Sequence, residues 1–249
     1  MRYFLAALLL AGFTVCAQTA IVDSHTRCLL GGWDGKGWTA TPQLDGDRVY
    51  NIYGAADGSA ISELTGHPPR PIEGPCGGSL EIPFDHELPE GSVAVSGPAK
   101  LFAFESLPVT SRSYISAFRA LLNAQGVRSA VRIEQLLRVD LDGDGKMETL
   151  ASLYSVREPG PESSPGDYSA IVMRRVDEHD HLTTQIVDFE KHPREGGVTH
   201  MTIGPILDLN GDGRAEVVIR GQYTKGRYSH VYQLVKGKLV RVLECTCGE

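Results

Sequence analysis

Along most of this chain, apolar positions come in runs of three to nine residues that alternate with polar ones or fill a run completely, the mark of strands. Residues 49–53, 80–84, 92–95 and 101–104 form the earlier candidates. Residues 131–139, 149–154, 168–176, 182–189, 201–207 and 217–219 form the later ones, followed by a pair spanning 222–243 that turns at Lys236-Gly237-Lys238. One stretch breaks the pattern. Tyr114, Ile115, Phe118, Leu121 and Leu122 share one face at helical spacing, with Ser111 or Ser113 as N-cap and Gly126 as stop, which predicts a helix within 109–127. The fold class expected is mainly β, with meandering antiparallel or blade-like sheets and a single amphipathic helix. Its parts are an N-terminal lobe over 18–108, the helix over 109–127 and a C-terminal lobe over 128–249.

The C-terminal lobe repeats itself. Asp140-Leu141-Asp142-Gly143-Asp144-Gly145-Lys146-Met147-Glu148 recurs as Asp208-Leu209-Asn210-Gly211-Asp212-Gly213-Arg214-Ala215-Glu216, displaced by 68 residues (208 − 140). Carboxylates or amides at positions 1, 3, 5 and 9 with Gly at 6 make a loop suited to a hard divalent cation. Calcium takes about six to eight oxygens at roughly 2.3–2.6 Å, and a sharp turn at the glycine brings in the carbonyl of residue 7. The expected ligands are Asp140, Asp142, Asp144, Lys146 (main chain) and Glu148 in the first loop, and Asp208, Asn210, Asp212, Arg214 (main chain) and Glu216 in the second. With one carboxylate more, the first loop is expected to bind more tightly. An EF-hand needs a bidentate glutamate at position 12 and flanking helices. Position 12 is Ala151 in one copy and Ile219 in the other, and the flanks read as strands.

A strand, an Asp-x-Asp-x-Asp-Gly loop and a return strand together resemble the FG-GAP/VCBS class of repeats, as found in the blades of integrin α-subunit propellers. The resemblance covers about 30 residues around each loop and departs from the family pattern by placing Glu at position 9. It implies blade-type hairpins, two bound calcium ions and a role in recognition. A complete integrin-like propeller does not fit in a chain of this length.

The chain begins with Met1-Arg2, an apolar run from Tyr3 to Val15 too short to span a membrane, and Val15-Cys16-Ala17. This reads as a secretory signal peptide over 1–17, cleaved after Ala17, and places the mature protein outside the cell or in a periplasm. Cys16 admits a lipoprotein alternative, but Phe13 and Val15 do not give the usual context. Export leaves Cys28, Cys76, Cys245 and Cys247, an even number in an oxidising compartment. A Cys245–Cys247 bridge would close a very tight ring. Both tail cysteines are therefore expected to reach back to Cys28 and Cys76, against the alternatives of a Cys-x-Cys redox or metal pair and an unpaired tail.

A formal charge of −7 argues against nucleic acid or anionic membrane as partner through a general basic surface. Nucleophile elbow, phosphate loop and His-Glu-x-x-His helix are all missing; His86-Glu87 runs into Leu88-Pro89. His179-Asp180-His181 is a candidate for a transition metal, Trp33 and Trp38 for a sugar ring, and His200, Tyr223 and His230 for a pocket, each against a plain structural role. The expected function is an exported calcium-binding module that binds a protein or glycan ligand or serves as scaffold. An exported hydrolase with scattered catalytic residues and a carbohydrate- or cell-wall-binding module are the alternatives.

Overall fold

A computed structural model describes residues 18–54, 60–158 and 160–248. The expected signal peptide lies outside the described residues. Strand accounts for 50% of the chain and helix for 7%, a mainly β fold. No helix among the described residues is long and apolar enough to cross a membrane.

In the N-terminal part, β1 (Ala20–Asp23), β2 (Leu29–Trp33), β3 (Trp38–Thr39), β4 (Arg48–Tyr53), β5 (Ala60–Gly66), β6 (Arg70–Pro71), β7 (Leu80–Glu81) and β8 (Val93–Ser96) follow in order. Six of them form one antiparallel sheet, β3-β2-β1-β8-β4-β5. β6 and β7 pair separately, Arg70 opposite Glu81 and Pro71 opposite Leu80. Every residue of β1 and β8 is buried, because these central strands are covered on both faces.

Two further sheets share one topology. β9 (Lys100–Leu101) and β10 (Phe104–Ser106) precede the helix α1 (Arg112–Ala124). Then come β11 (Ile133–Val139), β12 (Glu148–Ser155), β13 (Tyr168–Val176), β14 (Leu182–Lys191), β15 (His200–Asp208), β16 (Glu216–Tyr223), β17 (Gly226–Val235) and β18 (Lys238–Gly248). Blade I is β10-β11-β12-β13-β14 and blade II is β9-β15-β16-β17-β18. Each is a four-strand meander with a short added edge, and each acidic loop joins the first two meander strands. Two corrections follow. Residues 100–106 belong to the blades, so the N-terminal lobe does not run on to 108. Gln222 and Tyr223 end β16, and a hairpin turns at Thr224-Lys225 between the paired residues Tyr223 and Gly226.

The sheets stack. Within β16, Val217 and Ile219 face blade I beside Leu150 and Ile171, while Val218 faces the N-terminal sheet beside Ile21 and Val95. Period-two alternation with both faces apolar explains the unbroken Val217-Val218-Ile219 run. The outer face of blade I is covered by α1 through Phe118 and Leu122, and the outer face of the N-terminal sheet by Leu80, Ile82, Phe84 and Leu88. The expected alternatives of two blades or one meandering sheet thus resolve into two separate sheets, with a third stacked on them.

The helix ends as its sequence predicts. Gly126, at φ +80°, donates to Asn123, and Val127 donates to Leu122, closing a Schellman motif. At the other end Ser111 holds the N-cap position without a side-chain cap bond.

Blade II is fastened to the N-terminal sheet by three kinds of link. Disulfides join Cys28 to Cys245 and Cys76 to Cys247, as expected. The Arg220 guanidinium donates to the Asp23 carboxylate at 2.6–3.1 Å, both side chains being buried, and also to the carbonyls of Gly91 and Ser92. Trp38 donates its indole N–H to Gln233 at 3.2 Å.

Candidate metal centre

The two acidic loops share a common set of bonds, and the second adds three more, from the Asp212 amide to Asp208 at 3.2 Å and to Asn210 at 2.9 Å and from the Asn210 side-chain amide to Asp212 at 3.2 Å. Asp140 accepts from the amides of Gly143 and Gly145, both at 2.9 Å; Asp208 accepts from Gly211 at 2.6 Å and Gly213 at 2.9 Å. At position 5, Asp144 accepts from Lys146 at 2.7 Å and Asp212 from Arg214 at 2.9 Å. At position 9, Glu148 accepts from Leu141 at 2.9 Å and Glu216 from Leu209 at 2.8 Å. Each loop is closed by the same register, Val139 opposite Glu148 and Leu207 opposite Glu216.

This conformation rests on its glycines. Gly145 and Gly213, at position 6, have φ of +85° and +83°. A Cβ at Gly145 meets nothing within 4 Å, so Gly145→Ala tests the backbone alone. The expected result is a loss of about 1–2 kcal/mol from the left-handed conformation, read by urea denaturation in chelator. An unchanged midpoint would refute this assignment.

The loops lie side by side. Ala215 donates its amide to the carbonyl of Leu141 at 2.8 Å, and a Cβ on Gly143 would sit 3.7 Å from the carbonyl oxygen of Gly213. Beneath them, Leu141 and Leu209 are fully buried in two different cores.

Both loops contain buried carboxylate oxygens that accept no hydrogen bond of good geometry. Glu148 and Glu216 are fully buried; each satisfies one oxygen through a main-chain amide and leaves Oε1 unpartnered. Oδ1 of Asp142 is also buried without a partner. Asp140, Asp142 and Glu148 each offer an oxygen within 4.8 Å of the others. Burial, followed by repulsion from Asp142 and Asp144, raises the Glu148 carboxyl above the usual range. Burial, followed by repulsion from Asp212 and Asp208, pushes Glu216 up to about 8. Orphaned hard oxygens in a crowded acidic loop fit a hard divalent cation, which would supply their missing partner. Asp144 stands outside the close trio, with one oxygen held by its own turn.

At position 7 the side chain of Lys146 is engaged elsewhere, leaving only its carbonyl as a ligand. Lys146 donates to Asp180 at 3.0 Å and to the Asp177 carbonyl at 3.3 Å, tying the first loop to the β13–β14 turn. One neighbour went unseen in the sequence: Arg175 of β13 lies 3.5 Å from both Asp142 and Glu148.

The remaining candidates disperse. His179 and His181 are exposed on a turn that Asp177 holds by accepting from both of their amides at 2.9 Å. Trp33 and Trp38 pack edge to face at 5.2 Å, and Trp38 serves as a pin to blade II. His200 contacts Glu134 at 2.6 Å, whereas His230 is buried and stacks on Tyr228 at 4.2 Å. Burial and then the charge of Arg241 lower its pKa to about 4, so it is neutral at physiological pH.

Two clefts flank the stack. One, of about 710 Å³, is lined by Glu162, Glu190, Arg194, Tyr223, Lys225 and Tyr228. The other, of about 690 Å³, includes His25, Arg27, Glu87 and Arg220. Glu190 is already bonded to Arg194 and to the Thr199 amide, both at 2.8 Å, and Arg220 is engaged by Asp23. No family model, curated protein or solved structure matches this chain.

Proposed function

We propose that this chain is an exported, calcium-stabilised β protein that acts as a binding or scaffold module. The observation carrying this reading is the pair of matching loops, each with a fully buried glutamate oxygen that accepts no hydrogen bond, the one in the first loop having only Arg175 at 3.5 Å beside it. In the first loop Asp140, Asp142, Asp144, Glu148 and the Lys146 carbonyl would hold one ion. In the second, Asp208, Asn210, Asp212, Glu216 and the Arg214 carbonyl would hold another. The ion supplies positive charge and fixes both loops at one end of the blades. Two disulfides support an oxidising compartment. Binding is favoured over hydrolysis because Glu190 and Arg220 in the two clefts are engaged by their own neighbours. Tyr223, half-buried at the edge of one cleft, offers an aromatic contact to a protein or glycan ligand.

Thermal melts in excess CaCl2 and in chelator test the calcium reading. At ten to a hundred times Kd, each site contributes about 1.4–2.7 kcal/mol by mass action. Coincident melting curves would sink it.

A further inference from the structure

The two loops share the bonds made by positions 1, 5 and 9 and differ most in what surrounds them. Arg175 enters the first loop from β13, its side chain only 15% exposed. Its guanidinium lies 3.5 Å from Asp142 Oδ2 and 3.5 Å from Glu148 Oε1. Above it sits the Lys236-Gly237 turn of blade II, where any side chain at position 237 would collide with the guanidinium. That turn is itself held to blade I, since Gln185 exchanges two hydrogen bonds with the Leu239 main chain at 2.8 and 2.9 Å. Arg175 is therefore confined against the acidic trio by packing from both blades. Its Nε is buried yet has no hydrogen bond of good geometry, as is Glu148 Oε1. It neutralises the trio without satisfying it.

The second loop has nothing comparable. Among the described residues, no Lys or Arg comes within ion-pair distance of Asp208, Asp212 or Glu216. Counting carboxylates ranks the first loop as the tighter site. A resident guanidinium at 3.5 Å from two of those carboxylates reverses that ranking, because it repels an incoming cation and screens its ligands.

We propose that Arg175 is the built-in counter-ion of the first loop, and that the protein takes divalent cations in order, second loop first. This rests on the calcium reading of the loops. Arg175 acts here as a positioning residue that sets affinity, not as a ligand.

Calorimetric titration of the full chain with CaCl2 tests it, using Glu148→Gln and Glu216→Gln as isosteric markers of the two loops. In the wild type the tighter phase should vanish in Glu216→Gln and survive in Glu148→Gln. Arg175→Gln should tighten the weaker, Glu148-dependent phase about tenfold, a shift of about 1.4 kcal/mol. Arg175→Lys keeps the charge and should leave that phase weak. If Arg175→Gln does not fold by circular dichroism, the order of the two phases in the wild type still decides. A tighter phase that depends on Glu148, or a weaker phase unmoved by Arg175→Gln, overturns the inference and leaves the calcium reading standing. No calcium uptake by any of these proteins overturns both.

Discussion

The Asp23→Ala variant is expected to lose about 3–5 kcal/mol of stability, the usual result of stranding one member of a buried ion pair. Asp23 is fully buried in β1, and Arg220 of β16 spends its fork on that carboxylate. Without it, the guanidinium keeps only the carbonyls of Gly91 and Ser92, and a largely buried positive charge is left without its carboxylate. Urea denaturation reads the loss as a lower midpoint at constant slope. The double variant Asp23→Ala/Arg220→Met should recover most of it, because replacing both charges with apolar groups removes the stranded one. A double variant no more stable than Asp23→Ala would show that the cost lies in packing and not in charge.

Removing the Cys28–Cys245 bridge, as Cys28→Ala/Cys245→Ala, should cost about 2–5 kcal/mol. The bridge spans 217 residues, where the loss of unfolded-chain entropy is greatest in the simple loop model. The second bridge remains in this variant, which lowers the loss toward the bottom of the range. Denaturation midpoints measured without reductant decide the size. Non-reducing peptide mapping of the wild type should join the peptide around Cys28, and that around Cys76, to the C-terminal peptide. A peptide joining Cys28 to Cys76 would overturn the connectivity.

What was legible in the sequence is what the chain does over short distances. The acidic loops could be read because the hydrogen bonds within each of them are local, from Asp140 to Gly145 or from Leu141 to Glu148. The same holds for the helix stop at Gly126 and for the strands with strong alternation. Arg175 escaped because its place depends on the pairing of β13 with β12 and on a turn from another sheet. The edge strands were half read, since the single candidate over 101–104 straddles β9 and β10. Two or three residues have no periodicity to detect, and Lys100-Leu101 pairs with Leu207 and Asp208, far along the chain. The Thr224-Lys225 turn has neither glycine nor asparagine at its centre, so nothing local separated β16 from β17. The disulfide pattern was readable only by elimination, since spacing ruled out the tight tail ring but did not say which partner each tail cysteine takes.

The connectivity of the bridges also sets the order of events when the protein is made. Cys28 and Cys76 leave the ribosome first, and their partners Cys245 and Cys247 follow 217 and 171 residues later. A chain oxidised as it emerges can therefore join only the two early cysteines, a pairing the finished fold lacks. Correct assembly needs those thiols kept reduced until β18 is complete, or a thiol–disulfide exchange that releases them afterwards. Completion of β18 is thus the gatekeeper of maturation: before it both acidic loops are already made, and blade II is tied to the N-terminal sheet by noncovalent links alone, such as the Arg220–Asp23 pair and the Trp38–Gln233 bond.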